Sequence, residues 1–212
     1  MKKILLLGLM SFIVGIMVLG QNDPEAVRIL DKFSETATSA PSISMNFLLV
    51  TVDQIENSTD TLSGSVILAG NSYKLELPDN IIWYNGEISW SYLPAEQEVT
   101  ITKPDKEANS FESRPSMIFT MYKKDFKSRL LEERSDSYLI DLYPEEIQND
   151  LIRVRLTIAK PSLDLQTFEY KRRDGITLTL LVKDYNLKKV PESGMFVFTP
   201  AKYKGVEVID MR

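Results

Sequence analysis

The chain has 212 residues, with 25 Lys and Arg against 30 Asp and Glu for a net charge of −5, and it contains neither histidine nor cysteine. The acidic balance argues against a nucleic-acid partner, which needs a basic face, and against charge-driven retention on anionic membrane. Without His or Cys there is no Ser-His-Asp or Cys-His arrangement, no disulfide and no thiolate metal site, so neither catalysis nor a cofactor is expected.

Residues Met1 to Gly20 have the form of a secretory signal: Lys2 and Lys3, an apolar stretch from Ile4 to Leu19, and the small-residue ending Val18-Leu19-Gly20. A retained anchor fits less well, because the apolar run is short for a span and no basic flank follows it. Export of residues 21–212 is therefore expected. With no cysteine to acylate, the mature chain cannot be anchored as a bacterial lipoprotein. Loss of Lys2 and Lys3 leaves 23 basic against 30 acidic residues, a net charge of −7. The remaining 21–212 suit one domain with a sizeable core.

Asp23-Pro24-Glu25 opens a helix over 24 to 38, with Asp23 as N-cap and Pro24 at the first helical position; its apolar stripe is Val27, Leu30, Phe33 and Ala37. A strand from Ser42 to Val52 puts Met45, Phe47 and Leu49 on one side. From Leu62 to Thr102 apolar and aromatic residues recur at every second position. The spacing predicts one greasy face carrying Val66, Leu68, Tyr73, Leu75, Leu77, Ile88, Trp90, Tyr92, Val99 and Ile101. Asp79-Asn80, Asn85-Gly86 and Leu93-Pro94-Ala95-Glu96 mark turns of a meander.

Arg114-Pro115-Ser116-Met117 starts a second predicted helix, 115 to 126, with Met117, Ile118, Met121 and Tyr122 as its stripe. Further strands are expected at Tyr138 to Tyr143, Leu151 to Ile158, Leu165 to Tyr170, Ile176 to Tyr185 and Met195 to Thr199, with a hairpin turn at Arg173-Asp174-Gly175. Ile152, Val154, Leu156 and Ile158 alternate with polar residues, as in a half-buried antiparallel strand. About ten strands cannot stay flat, so a mainly β, α+β fold is expected, in which one curled antiparallel sheet carries the helices on one side. Asp141, Glu145, Glu146 and Asp150 read as solvated acids rather than a catalytic pair. The apolar face itself can be a filled core or the wall of a cavity; periodicity does not decide between them.

Several motifs occur in a familiar order: Tyr73-Lys-Leu75, Asn85-Gly86-Glu87, Trp90-Ser-Tyr92 with Pro94, Gln97-Glu-Val99, Arg114-Pro115-Ser116-Met117-Ile118, and the ending Phe196-Val-Phe198-Thr-Pro200 with Gly205-Val-Glu-Val208. In that order and spacing the chain resembles the LolA family of periplasmic outer-membrane lipoprotein carriers over nearly all of 21–212. The resemblance implies an unclosed β-barrel with a helical lid and an apolar interior for lipoprotein acyl chains. It also implies a periplasmic location, acylated lipoproteins as cargo and an inner-membrane ABC-type lipoprotein-releasing transporter as loading partner. The outer-membrane acceptor is not identified by the residues, and a monomer is expected.

On that resemblance the acyl-contacting residues are Met45, Phe47, Leu49, Val66, Leu68, Tyr73, Leu75, Trp90, Tyr92, Val99 and Ile101 from strands, with Val27, Leu30, Phe33, Met117, Ile118 and Met121 from the helices. One departure stands out. Where family members carry an Arg-Pro pair that latches the lid, this chain has Leu68-Ala69-Gly70-Asn71. That departure leaves open a second reading, a sensor or adaptor of the same fold that binds a protein partner or another lipid.

Overall fold

The computed structural model describes residues 22–104, 114–146 and 150–212; the expected signal at 1–20 lies outside them. Helix α1 (Pro24–Thr38) begins where its residues demand. Asp23 is extended, and its Oδ1 accepts from the amides of Glu25 at 3.0 Å and Ala26 at 3.4 Å, with Pro24 behind it. Its buried face is Ala26, Ile29, Leu30, Phe33, Ser34 and Ala37. Val27 is only half-buried, because the stripe is centred between the Ile29 and Leu30 rows.

Twelve strands follow among the described residues: β1 (Ile43–Asp53), β2 (Ser58–Ala69), β3 (Ser72–Glu76), β4 (Ile81–Tyr84), β5 (Ser89–Leu93), β6 (Glu98–Thr102), β7 (Phe126–Glu133), β8 (Ser137–Pro144), β9 (Leu151–Ala159), β10 (Leu165–Arg172), β11 (Ile176–Asn186) and β12 (Glu207–Asp210). They form one sheet in the order β12-β6-β5-β4-β3-β2-β1-β11-β10-β9-β8-β7, whose ends β12 and β7 do not pair. The result is the expected curled sheet and unclosed barrel. Every pairing is antiparallel except that of β12 with β6, which is parallel. Register shifts at Asn46/Phe47, Leu130/Glu132, Leu165/Thr167 and Lys171/Arg172 supply bulges that bend so wide a sheet. Among the described residues no helix is long and apolar enough to cross a membrane.

Several expectations need correction. The predicted helix 115–126 is two 3-10 helices, Pro115–Phe119 and Met121–Lys123, and Phe126 already belongs to β7. Thr120, at φ −132°, breaks the run, which is too short to sustain an α-helix by itself. Met195–Thr199 is not a strand: the amides of Met195 and Val197 turn back onto the carbonyls of Glu192 and Gly194. In the alternation of β9 it is Leu151 that is buried and Ile152 that is 38% exposed, because the Lys171/Arg172 shift pairs Arg172 with Leu151.

Asp141 is not a solvated acid but 1% exposed. β9 and β8 pair Arg155 opposite it, and Arg155 donates from Nε at 2.7 Å and Nη2 at 2.9 Å while the Tyr143 hydroxyl donates at 2.9 Å. Burial pushes the carboxyl up, but the bonds from Arg155 and Tyr143 and the charges of Arg153 and Arg155 hold it below the usual aspartate value.

The free edge of β7 is covered by the chain that leads into α1. The Asn22 side-chain oxygen accepts from Ser128 N at 2.8 Å, Asp23 Oδ2 accepts from Leu130 N at 3.0 Å, and Asp23 N donates to Ser128 O at 3.1 Å. One aspartate thus caps a helix and satisfies a strand edge that would otherwise invite pairing.

Candidate functional site: an apolar cavity under a short lid

Side chains directly paired across antiparallel strands share a face, so the register decides which residues meet. Met45 pairs with Val66, Val66 with Leu75, and Leu75 with Ile82. On the other flank Leu49 pairs with Leu180, Leu180 with Phe168, and Leu178 with Tyr170. These residues look into the curl. They enclose a cavity of about 470 Å³, lined by Met45, Phe47, Leu49, Val66, Leu75, Leu77, Ile82, Phe168, Tyr170, Leu178 and Leu180, with Pro115 and Ile118 from the first 3-10 helix and Asp150 and Arg172 as its charged members. That volume falls in the range of about 300–1,000 Å³ usual for small-ligand sites.

Gly64 shows why Phe47 fits there. A Cβ at position 64 would stand 2.6 Å from Phe47 Cζ and 2.8 Å from Leu77 Cδ2. The strand carries glycine so that the ring can lie flat across it.

The lid is held from behind. Phe33 of α1 meets Phe119 with ring centroids 5.4 Å apart, and the Tyr122 hydroxyl donates to Asp31 Oδ1 at 2.6 Å. Burial, then this bond, pushes the Tyr122 phenol well above its usual value. Leu30 and Phe33 are fully buried yet line no part of the cavity, and Val27 lies at the edge of the same packing. Of the three, Phe33 packs directly on the lid.

Of the residues named from the sequence, Met45, Phe47, Leu49, Val66, Leu75 and Ile118 line this one cavity. Met117 and Met121 line a neighbouring recess of about 420 Å³ that shares Phe168 and Tyr170 with the cavity. Tyr73 and Met117 line a groove with Tyr84 and Arg114. Tyr73 stands 5.4 Å from Tyr84, and burial beside that ring pushes its phenol up to about 12. Leu68, 2% exposed, is core.

Trp90, Tyr92, Val99 and Ile101 are not brought to the cavity. Tyr84 pairs with Tyr73, so its neighbour Trp83 points the other way, and Trp83 pairs with Trp90, Trp90 with Ile101, and Tyr92 with Val99. Four-residue β4 therefore sends this set to the outer face. There Trp83, Val99 and Phe198 form a second small core, with Trp90, Tyr92, Tyr203 and Val206 against it. Phe198 lies 5.5 Å from Trp83, and Tyr203 lies 4.8 Å from Tyr92.

The lining residues that were not among the expected contacts are Leu77, Ile82, Pro115, Asp150, Phe168, Tyr170, Arg172, Leu178 and Leu180. Phe168-x-Tyr170-x-Arg172 and Leu178-x-Leu180 carried the period-two signal that could have found five of them. Among the described residues no cluster of Asp and Glu could hold a metal ion.

The chain is similar to solved structures of low sequence identity. An uncharacterized conserved protein from Thermus thermophilus superposes with a TM-score of 0.57 at 14% identity, covering 88% of this chain and 99% of that one. A LolA superfamily protein from Nitrosomonas europaea gives 0.43 at 15% identity, with 82% and 97% covered. A putative outer membrane lipoprotein-sorting protein domain from Vibrio parahaemolyticus gives 0.44 at 10%, with 82% and 96% covered. No curated protein matches the chain by sequence. Residues 16–175, most of the chain, match the family described as outer membrane lipoprotein carrier protein LolA, and the chain belongs to that family.

Proposed function

We propose that this protein, exported to the periplasm as residues 21–212, shields the acyl chains of lipoproteins in the cavity of its curled sheet and carries them from the inner to the outer membrane. The observation that carries the reading is the apolar cavity under the Pro115–Phe119 lid. A scaffold that only bound a protein partner would have no need to leave its inner face unfilled, since voids cost stability. An inner-membrane ABC-type transporter is the expected source of cargo, and the carrier itself performs no bond chemistry.

The test is mass spectrometry of organic extracts from the mature chain purified out of a Gram-negative periplasm. Leu75→Asp, which puts a charge into the cavity, is expected to lose acylated peptides that wild type carries. Trp90→Ala, on the outer face, is expected to keep them. A clean extract from well-folded wild type, or equal loss in both variants, overturns the proposal.

A further inference from the structure

Arg172 is out of keeping with the cavity it lines. It is the last residue of β10, two positions beyond Tyr170 on the inward row, and the register shift at Lys171/Arg172 sets it opposite buried Leu151. Its Nη2 forms an ion pair with Asp174 Oδ2 at 2.6 Å. The side chain as a whole is 40% exposed, but its Nε is buried and has no hydrogen-bond partner among the described residues. A guanidinium donor withdrawn from water with nothing to accept from it is a cost that calls for an explanation. The charge at this end of the cavity is mixed: Arg172 and Asp150 both line it, and Asp174 in the turn pairs with Arg172. From Arg172 the wall runs through Tyr170, Phe168 and Leu180 to Phe47, and among the described residues it carries no other positive charge.

We propose that Arg172 receives the anionic head of an amphiphile, a carboxylate or phosphate, whose acyl chain fills the cavity. This rests on the reading that the cavity holds acyl chains and goes beyond lipoprotein cargo, whose ester- and amide-linked chains bring no anionic head of their own. Nε and the unused edge of the guanidinium donate to the head-group oxygens. Such charge-assisted bonds are about twice as strong as neutral ones. Asp174 is the resident competitor that the head displaces in part. A neutral glyceride of the same chain length fills the same space and leaves Nε unpartnered.

The experiment measures displacement of the neutral probe N-phenyl-1-naphthylamine from delipidated mature protein by oleate, by monoolein and by inorganic phosphate, in wild type, Arg172→Gln and Asp174→Asn. Arg172→Gln is expected to weaken oleate about tenfold or more and to leave monoolein unchanged. Asp174→Asn, which frees the guanidinium, is expected to tighten oleate alone, and it answers the question if Arg172→Gln fails to fold. Inorganic phosphate is expected to displace nothing.

Equal effects on oleate and monoolein, or none, overturn the head-group assignment while leaving the acyl-chain reading standing. Phosphate displacing the probe by itself overturns it in favour of an anion site unrelated to chains. Failure of probe, oleate and monoolein alike to bind wild type removes both proposals together.

Discussion

Removing the Asp141 carboxylate tests whether the outer face of β8–β10 is held by a buried charge network. Asp141 is 1% exposed, and its two oxygens take Arg155 at 2.7 and 2.9 Å, Tyr143 at 2.9 Å and Arg153 at 3.5 Å. Breaking a fully buried pair costs about 3–5 kcal/mol, because the surviving charge is stranded. Here the survivors are Arg153 and Arg155, with side chains 18% and 30% exposed, so both partly rehydrate. The expected cost of Asp141→Ala is therefore lower, about 2–3 kcal/mol. Its pH dependence has a definite sign. Because the folded carboxyl titrates below its unfolded value of about 3.9, its contribution is fully present above that value and is lost as pH falls through the folded one. Urea unfolding followed by Trp83 and Trp90 emission should show a gap between wild type and Asp141→Asn that is constant from about pH 7 to 5 and narrows below about 4. A cost for Asp141→Ala below about 0.5 kcal/mol, typical of exposed pairs, or a gap that persists in acid, refutes this account.

Two further outcomes concern the lid and the second core. Tyr122→Phe removes the bond to Asp31 and should lower stability by about 1–2 kcal/mol; amide exchange of 115–123 should quicken while β8–β10 stay protected, and uniform quickening would disprove a separate lid. Phe198→Ala should cost about 2–3 kcal/mol, less than a Phe in a large core, and shift tryptophan emission to the red as Trp83 meets water; an unchanged spectrum would show that the C-terminal segment does not seal that face.

What the sequence made legible was local or family-wide. The Asp23-Pro24 cap, the Asn85-Gly86 turn and the Arg173-Asp174-Gly175 hairpin are each decided by residues within four positions of one another. In the Asn85-Gly86 turn, Asn85 Oδ1 accepts from Glu87 and Ile88 while Gly86 takes φ 95°. What was not legible was phase across strands. Alternation within Ser89–Leu93 says that Trp90 and Tyr92 share a face, but only the register of β4 says which face, and one residue of slip reverses the answer. The same limit hid the β10 wall: Phe168, Tyr170 and Arg172 alternate visibly, but only the pairing of β10 with β11 and β9 turns that row inward. Around Phe198 the alternation predicts a strand, but the burial of that ring comes from a segment folded across the outside of the sheet.

The lid geometry also bears on how a carrier of this kind would load. An acyl chain of sixteen carbons passing through water would lose roughly 12 kcal/mol of hydrophobic free energy, at about 0.8 per methylene, so release into solvent between membrane and cavity is excluded as a route. Bilayer and cavity are both hydrocarbon, which makes direct transfer nearly neutral and leaves lid opening as the main barrier. Opening exposes Ile118 and Phe119, each 1% exposed when closed, at about 1.5–3 kcal/mol apiece, and breaks Tyr122 from Asp31. The two 3-10 helices are the part able to move at that cost, being short and poorly bonded internally, whereas α1 is fixed by its cap and by its bonds to the β7 edge. Phe33, Phe119, Tyr122 and Asp31 hold the lid closed in a chain that lacks the Arg-Pro pair, and opening it costs several kcal/mol that whatever meets it at the moment of transfer has to supply.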